Sequence, residues 1–100
     1  SGGYNVYPKE VEVVLDEMPA VAESAVIGVP HRDLGAAVVA VVVASGAEVT
    51  LRDIEQALGS RLARFKQPKQ VVNVPELPRN TMGKVQKNKL RELHSNLFDA

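Results

Sequence analysis

Nine consecutive residues, Ala36 to Ala44, are alanine or valine only. Valine is stiff at its first side-chain torsion and packs well on a pleated surface, so the run favours a strand over a helix. An unbroken apolar run, as opposed to an alternating one, predicts that the strand over Val38–Ala44 is covered on both faces. The run is far shorter than the ~20 residues a membrane helix needs. Whatever this chain folds into must therefore pack other elements against that strand.

The rest of the sequence supplies them. Pro8 suits the first turn of a helix, and Val11, Val14, Leu15 and Met18 follow at helical spacing. Glu10, Glu12, Asp16 and Glu17 take the other face, and Pro19 ends the helix near Glu17. Val21 to Val29 alternates loosely and reads as a strand, and Pro30 to Gly35 is a turn-rich connection. So short a link predicts that the two long strands pair antiparallel. Ser45 to Glu48 turns the chain. Thr50 with Asp53 reads as a helix N-cap, and the helix is expected to reach about Ala63 through Leu51, Ile54, Leu58 and Leu62. Gly59 weakens it by about 1 kcal/mol relative to alanine. A basic loop, Arg64 to Lys69, leads to a short strand over Gln70–Val74. A loop over Pro75–Gly83 precedes a closing helix over Lys87–Leu97. The order α-β-β-α-β-α predicts an α+β domain, a small antiparallel-type sheet of about three strands packed by about three helices. One hundred residues, 45% hydrophobic, suit a single domain spanning 1–100.

The chain is neutral overall, but its charge is divided. Residues 1–60 hold three basic and nine acidic groups, whereas residues 61–91 hold nine basic groups and only Glu76 as an acid. Such a third faces either a polyanion or only solvent. Zero net charge argues against a wholly basic nucleic-acid binder. The absence of cysteine removes disulfides, thiolate metal sites and a cysteine nucleophile, and suits a reducing compartment. No signal peptide pattern opens the chain, so a cytoplasmic location is expected, without nucleic acid or membrane as partner. The chain begins Ser1-Gly2-Gly3-Tyr4 without an initiator Met, which suggests a piece of a longer protein, although N-terminal processing would do the same.

His31 and His94 lack partners at metal-ligand or triad spacing and read as structural, so no metal site is expected. The carboxylates form no paired arrangement. Leu77-Pro78-Arg79-Asn80-Thr81-Met82-Gly83-Lys84-Val85 is different, because prolines and a glycine fix its path towards a lysine. Its Gly-Lys pair is similar to part of a phosphate-binding loop but lacks that motif's other glycine and following Ser or Thr. By spacing alone Lys84 is either a phosphate contact or an exposed turn lysine.

These residues carry a family likeness. Gly2-Gly3-Tyr4-Asn5-Val6-Tyr7-Pro8-Lys9-Glu10-Val11-Glu12 resembles the entry to the C-terminal domain of adenylate-forming enzymes, which include acyl-CoA synthetases, nonribosomal adenylation domains and luciferases. Leu77 to Val85 resembles their closing motif, and Ala25 to His31 with Asp33 and Gly35 resembles the strand and turn between. Asn80 to Asn88 is most similar to malonyl-CoA synthetases.

The resemblance implies an AMP-forming acid–thiol ligase. A carboxylate, malonate by this likeness, attacks the α-phosphate of ATP to give an acyl-adenylate and pyrophosphate. The thiol of coenzyme A then expels AMP, and the small domain rotates between the steps. On this likeness Lys84 is the adenylation lysine. Gly2, Gly3 and Tyr4 fall on the second-step face, where backbone without side chains approaches the pantetheine arm. Phe65, Lys66 and Lys69 match a loop that in some relatives contacts the nucleotide end of coenzyme A. Gln67 departs from the arginine some relatives carry there. A large N-terminal domain, outside this chain, is implied as partner and as the main holder of ATP, its Mg2+ and the acyl group. The 100 residues by themselves are therefore expected to be inactive. The stretch from Pro78 to Lys84 is also similar to a protein acetyltransferase target, reversible by a deacetylase. The alternatives are the lid of a carrier-protein-dependent adenylation domain and a stand-alone anion-binding module.

Overall fold

The computed structural model of the protein describes residues 7–33 and 35–98. Helix α1 (Pro8–Asp16) is followed by strands β1 (Val21–His31) and β2 (Gly35–Ala44). Then come helix α2 (Leu51–Leu58), a single 3₁₀ turn (Arg64–Lys66), strand β3 (Gln70–Asn73) and helix α3 (Lys87–Leu93). The sheet order is β1-β2-β3, so the Ala/Val run is the middle strand. Both of its faces are covered. Val38, Ala40 and Val42 join Val11, Leu15, Ile54 and Leu58 in a core beneath α1 and α2. Val39 and Val41 join Ile27, Val29, Leu77 and Leu90 in a second core beneath α3 and the 77–85 segment.

β1 and β2 pair antiparallel from Val21↔Ala44 to His31↔Gly35, as the short link predicts. β3 instead joins parallel to β2, with Val39 opposite Gln70 and Val42 opposite Asn73. The sheet is therefore mixed and not antiparallel throughout. The connection over 45–69 contains α2, and a helical crossover returns the chain to the same end of the sheet. The hairpin strands also run longer than their patterns. Pro30 stands opposite Ala36 inside β1, which is an edge strand, where the missing N–H of proline is tolerated.

Two helices stop early. α2 ends at Leu58 because Gly59 takes φ +48° while its N–H bonds back to Glu55 O at 2.9 Å. A side chain would be strained there whatever the space. Leu62 still packs on the first core from the turn that follows. α3 ends at Leu93, not Leu97, although Leu97 and Phe98 remain against the second core.

The start of α2 is a full capping box. Asp53 N–H donates to Thr50 Oγ1 at 3.1 Å and Thr50 N–H donates to Asp53 Oδ2 at 2.9 Å. These bonds hold the Asp53 carboxyl below its ordinary pKa, the Thr50 backbone bond being the larger cause. A depressed carboxylate stabilises the fold above its unfolded pKa and loses that contribution as pH falls through the folded value. Thr50→Ala is expected to cost about 1 kcal/mol. A urea midpoint that does not move at neutral pH would rule this out.

Side chains cover part of the free edge of β1. Glu12 on α1 accepts the Val26 N–H at 2.8 Å and pairs with Lys87 at 2.7 Å, so one carboxylate bridges α1, β1 and α3. Ser24 Oγ donates to Asp16 at 2.7 Å on the same strand. Such cover is how an exposed edge avoids pairing with another chain.

A candidate adenylation turn and a candidate coenzyme A loop

Lys84 stands on a miniature hairpin. Gln86 N–H donates to Pro78 O at 2.8 Å, Arg79 bridges Val85 antiparallel, and Asn80 N–H donates to Lys84 O at 2.9 Å. Gly83 N–H closes the turn on Asn80 O at 3.0 Å, with Gly83 at φ +84°. A Cβ at Gly83 would meet open space, so glycine is required there by the backbone angle and not by crowding. Leu77 and Val85 dock the hairpin on the second core, while Met82 at its tip is 84% exposed. Arg79 ties the turn down twice, donating to Gly83 O at 2.6 Å and pairing with Glu23 on β1. The Lys84 side chain is exposed and has no ion-pair partner among the described residues.

Phe65 and Lys66 gather elsewhere, at the start of α1. The Phe65 ring meets Tyr7 edge-on at 6.3 Å between centroids and is 54% exposed. The Lys66 ammonium lies 4.5 Å above the Tyr7 ring and 3.2 Å from both Glu10 carboxylate oxygens. Lys66 is thus already neutralised within the domain. Lys69 has no ion pair among the described residues and lines a groove with Arg64, Gln67, Leu62 and Gly59. Gln67 donates to Gly59 O at 3.2 Å and Leu62 O at 3.0 Å, a structural staple across the loop. No hydrogen bond, ion pair or ring contact among the described residues joins Lys84 to Phe65, Lys66 or Lys69. Gly2, Gly3 and Tyr4 lie outside the described residues.

Much of the charge division is internal. Arg61 pairs with Glu17 at 2.8 Å, Lys66 with Glu10, Arg79 with Glu23 and Lys87 with Glu12. The Arg61 guanidinium, hydrogen-bonded to Glu17, holds that carboxyl below its ordinary pKa. Four cations of the basic third therefore answer acids of the first 23 residues, and Arg64, Lys69, Lys84, Lys89 and Arg91 are left outside these ion pairs. The positive field of residues 61–91 is weaker than their count of basic groups implies, because folding brings the acids of the first segment onto them. Arg64, Tyr7 and Asn80 also stand at these places, although nothing in the sequence singled them out from their motifs as site residues. An asparagine between prolines and a glycine is a turn-forming signal that could have marked the last. His31 Nδ1 accepts the Asp33 N–H at 3.1 Å, and its ring lies 5.0 Å from Phe98. Among the described residues no three His, Asp or Glu gather as a metal site, and no helix is long and apolar enough to cross a membrane.

A family model described as the AMP-binding enzyme C-terminal domain matches residues 10–84. Among solved structures, apo MatB from Rhodopseudomonas palustris superposes with a TM-score of 0.92 at 56% identity, over 98% of this chain and 20% of that one. A second crystal structure of MatB holds ATP. The long-chain-fatty-acid–CoA ligase FadD13 of Mycobacterium tuberculosis is 47% identical over 95 residues, 95% of this chain and 19% of its own length. Indoleacetate–CoA ligase of Aromatoleum aromaticum is 47% identical over 94 residues, 93% of this chain and 18% of its own. The chain thus spans about a fifth of the curated relatives it matches.

Proposed function

The chain belongs to the AMP-binding enzyme C-terminal domain family, and on that premise we propose that it is the lid of an ATP-dependent acyl-CoA ligase. The observation that carries the reading is Lys84, an exposed ammonium without an ion-pair partner among the described residues, on a turn held by backbone and Asn80 hydrogen bonds. In the first half-reaction a substrate carboxylate oxygen attacks the α-phosphorus of ATP, and the bond to pyrophosphate breaks. Lys84 sits between the two anions, offsets their repulsion and stabilises charge on the phosphate in flight. In the second, the coenzyme A thiol attacks the acyl carbonyl, AMP departs and the thiol proton is lost to base. The described residues offer no carboxylate cluster that fits Mg2+, so the ion that accompanies ATP is assigned to the rest of the enzyme.

Lys84 and the Phe65 loop belong to different parts of the surface, which suits a domain that turns a different side to the substrates in each step. Malonate is the proposed acid, on the likeness of residues 80–88 to malonyl-CoA synthetases and on the 56% identity to MatB. Relatives named for a long-chain fatty acid and for indoleacetate are each 47% identical to this chain, which supports a domain whose sequence follows the reaction and leaves the acyl pocket to the larger domain. The exposure of Lys84 also makes it a reachable target for a protein acetyltransferase, and acetylation would remove the charge adenylation uses.

Coenzyme A is assigned to the 64–69 loop. Replacing Lys69 by alanine in the full-length ligase is expected to raise KM for coenzyme A several-fold, about 1 kcal/mol, less at high salt. Lys66→Ala should do less, because Lys66 must leave Glu10 to reach a phosphate. The constants for ATP and malonate should not change. A wild type that uses pantetheine as well as coenzyme A would end this assignment and favour delivery to a carrier protein.

A further inference from the structure

One residue holds both backbone polar groups of Lys84. Asn80 N–H donates to Lys84 O at 2.9 Å, and Asn80 Oδ1 accepts the Lys84 N–H at 3.0 Å. The same Oδ1 accepts the Met82 N–H at 2.9 Å, and the Asn80 carbonyl accepts the Gly83 N–H. Four hydrogen bonds thus run from Asn80 to the three residues that end in the lysine. The Asn80 Nδ2 group makes none among the described residues, so it is the acceptor oxygen that this position requires.

A lysine side chain is long and carries about 2 kcal/mol of rotamer entropy. A reacting group placed on a loose loop would add backbone freedom to that loss, and misplacement of about 1 Å in such a group can cost 10²-fold in rate. Lys84 has no ion pair to fix its ammonium among the described residues, so its position is set from the backbone end. Arg79 fixes the turn to β1, and Leu77 and Val85 fix it to the core, but neither touches the polar groups of Lys84 itself. We infer that Asn80 is the positioning residue of the adenylation lysine, acting through its side-chain oxygen. This rests on the reading of Lys84 as the adenylation residue.

The test uses the full-length ligase with Asn80→Ala, Asn80→Asp and, as a control, Lys84→Ala. Adenylation is read by malonate-dependent ATP–pyrophosphate exchange. Thioester formation is read separately from supplied malonyl-adenylate and coenzyme A. Asn80→Ala removes the acceptor and is expected to lower adenylation about 10-fold through kcat, on the scale of two net hydrogen bonds, with thioester formation unchanged. Asn80→Asp keeps an acceptor oxygen at the same place and should stay within about 3-fold of wild type. General damage to the fold would lower both half-reactions together and would not be rescued by aspartate, and that result overturns the inference. So does an Asn80→Ala enzyme with wild-type adenylation while Lys84→Ala is impaired in that step alone. A Lys84→Ala enzyme without step-specific loss would instead remove the reading of Lys84 on which the inference stands.

Discussion

Lys84→Ala in the full-length ligase should lower adenylation by about 10²-fold or more, the scale of losing one preorganised electrostatic contact in a water-poor site. The turn itself should survive. Its bonds run through the backbone of 78–86 and through the side chains of Asn80 and Arg79, and none uses the lysine side chain. The loss is therefore expected to be chemical and confined to one step, so supplied acyl-adenylate should still be converted to thioester at near the wild-type rate. ATP–pyrophosphate exchange and single-turnover thioester formation measure the two steps apart. Equal loss in both would show that Lys84 is not specific to adenylation.

The second large effect is expected at Leu90. This leucine is fully buried, and α3, only seven residues long, buries no other side chain completely. It packs with Leu77, Ile27, Val39 and Val41, so it holds both α3 and the base of the lysine turn against the sheet. Leu90→Ala removes that contact and leaves a cavity, which costs about 2–5 kcal/mol in well-packed cores. Domains of this size have about 5–15 kcal/mol in total, so the variant should be close to unfolding at physiological temperature. Urea denaturation of the 100-residue chain checks this. A loss below about 1 kcal/mol would mean that the second core relaxes around the gap.

The parts of this fold that could be read in the sequence were those set by local chemistry. The Ala/Val run demanded cover on both faces and has it, and Thr50 is the N-cap its sequence position implies, with Asp53 completing a capping box. What escaped depends on residues far apart in the chain. The direction of β3 is decided by the crossover through α2 and not by any pattern within Gln70–Asn73. The role of Glu12 needed α1, β1 and α3 to meet at one edge. At the candidate site, the turn before Lys84 was legible through its prolines and glycine, but the grip of Asn80 on the lysine backbone lies in a side-chain oxygen that periodicity cannot see. Lys66 shows the reverse. Its place in a basic loop was plain, and its neutralisation by Glu10, 56 positions away, was not.

The sandwich around β2 has a consequence for how such a domain can diversify. Alternate residues of this one strand answer to different neighbours, Val38, Ala40 and Val42 to the layer of α1 and α2, Val39 and Val41 to the layer that carries the lysine turn. Substitutions that reshape one layer need not be matched in the other. A lineage could therefore remodel the α1–α2 side, with the 64–69 loop beyond it, while inheriting the side that carries the lysine turn intact. Hybrids that exchange one layer between relatives should tolerate the seam better than hybrids cut across both.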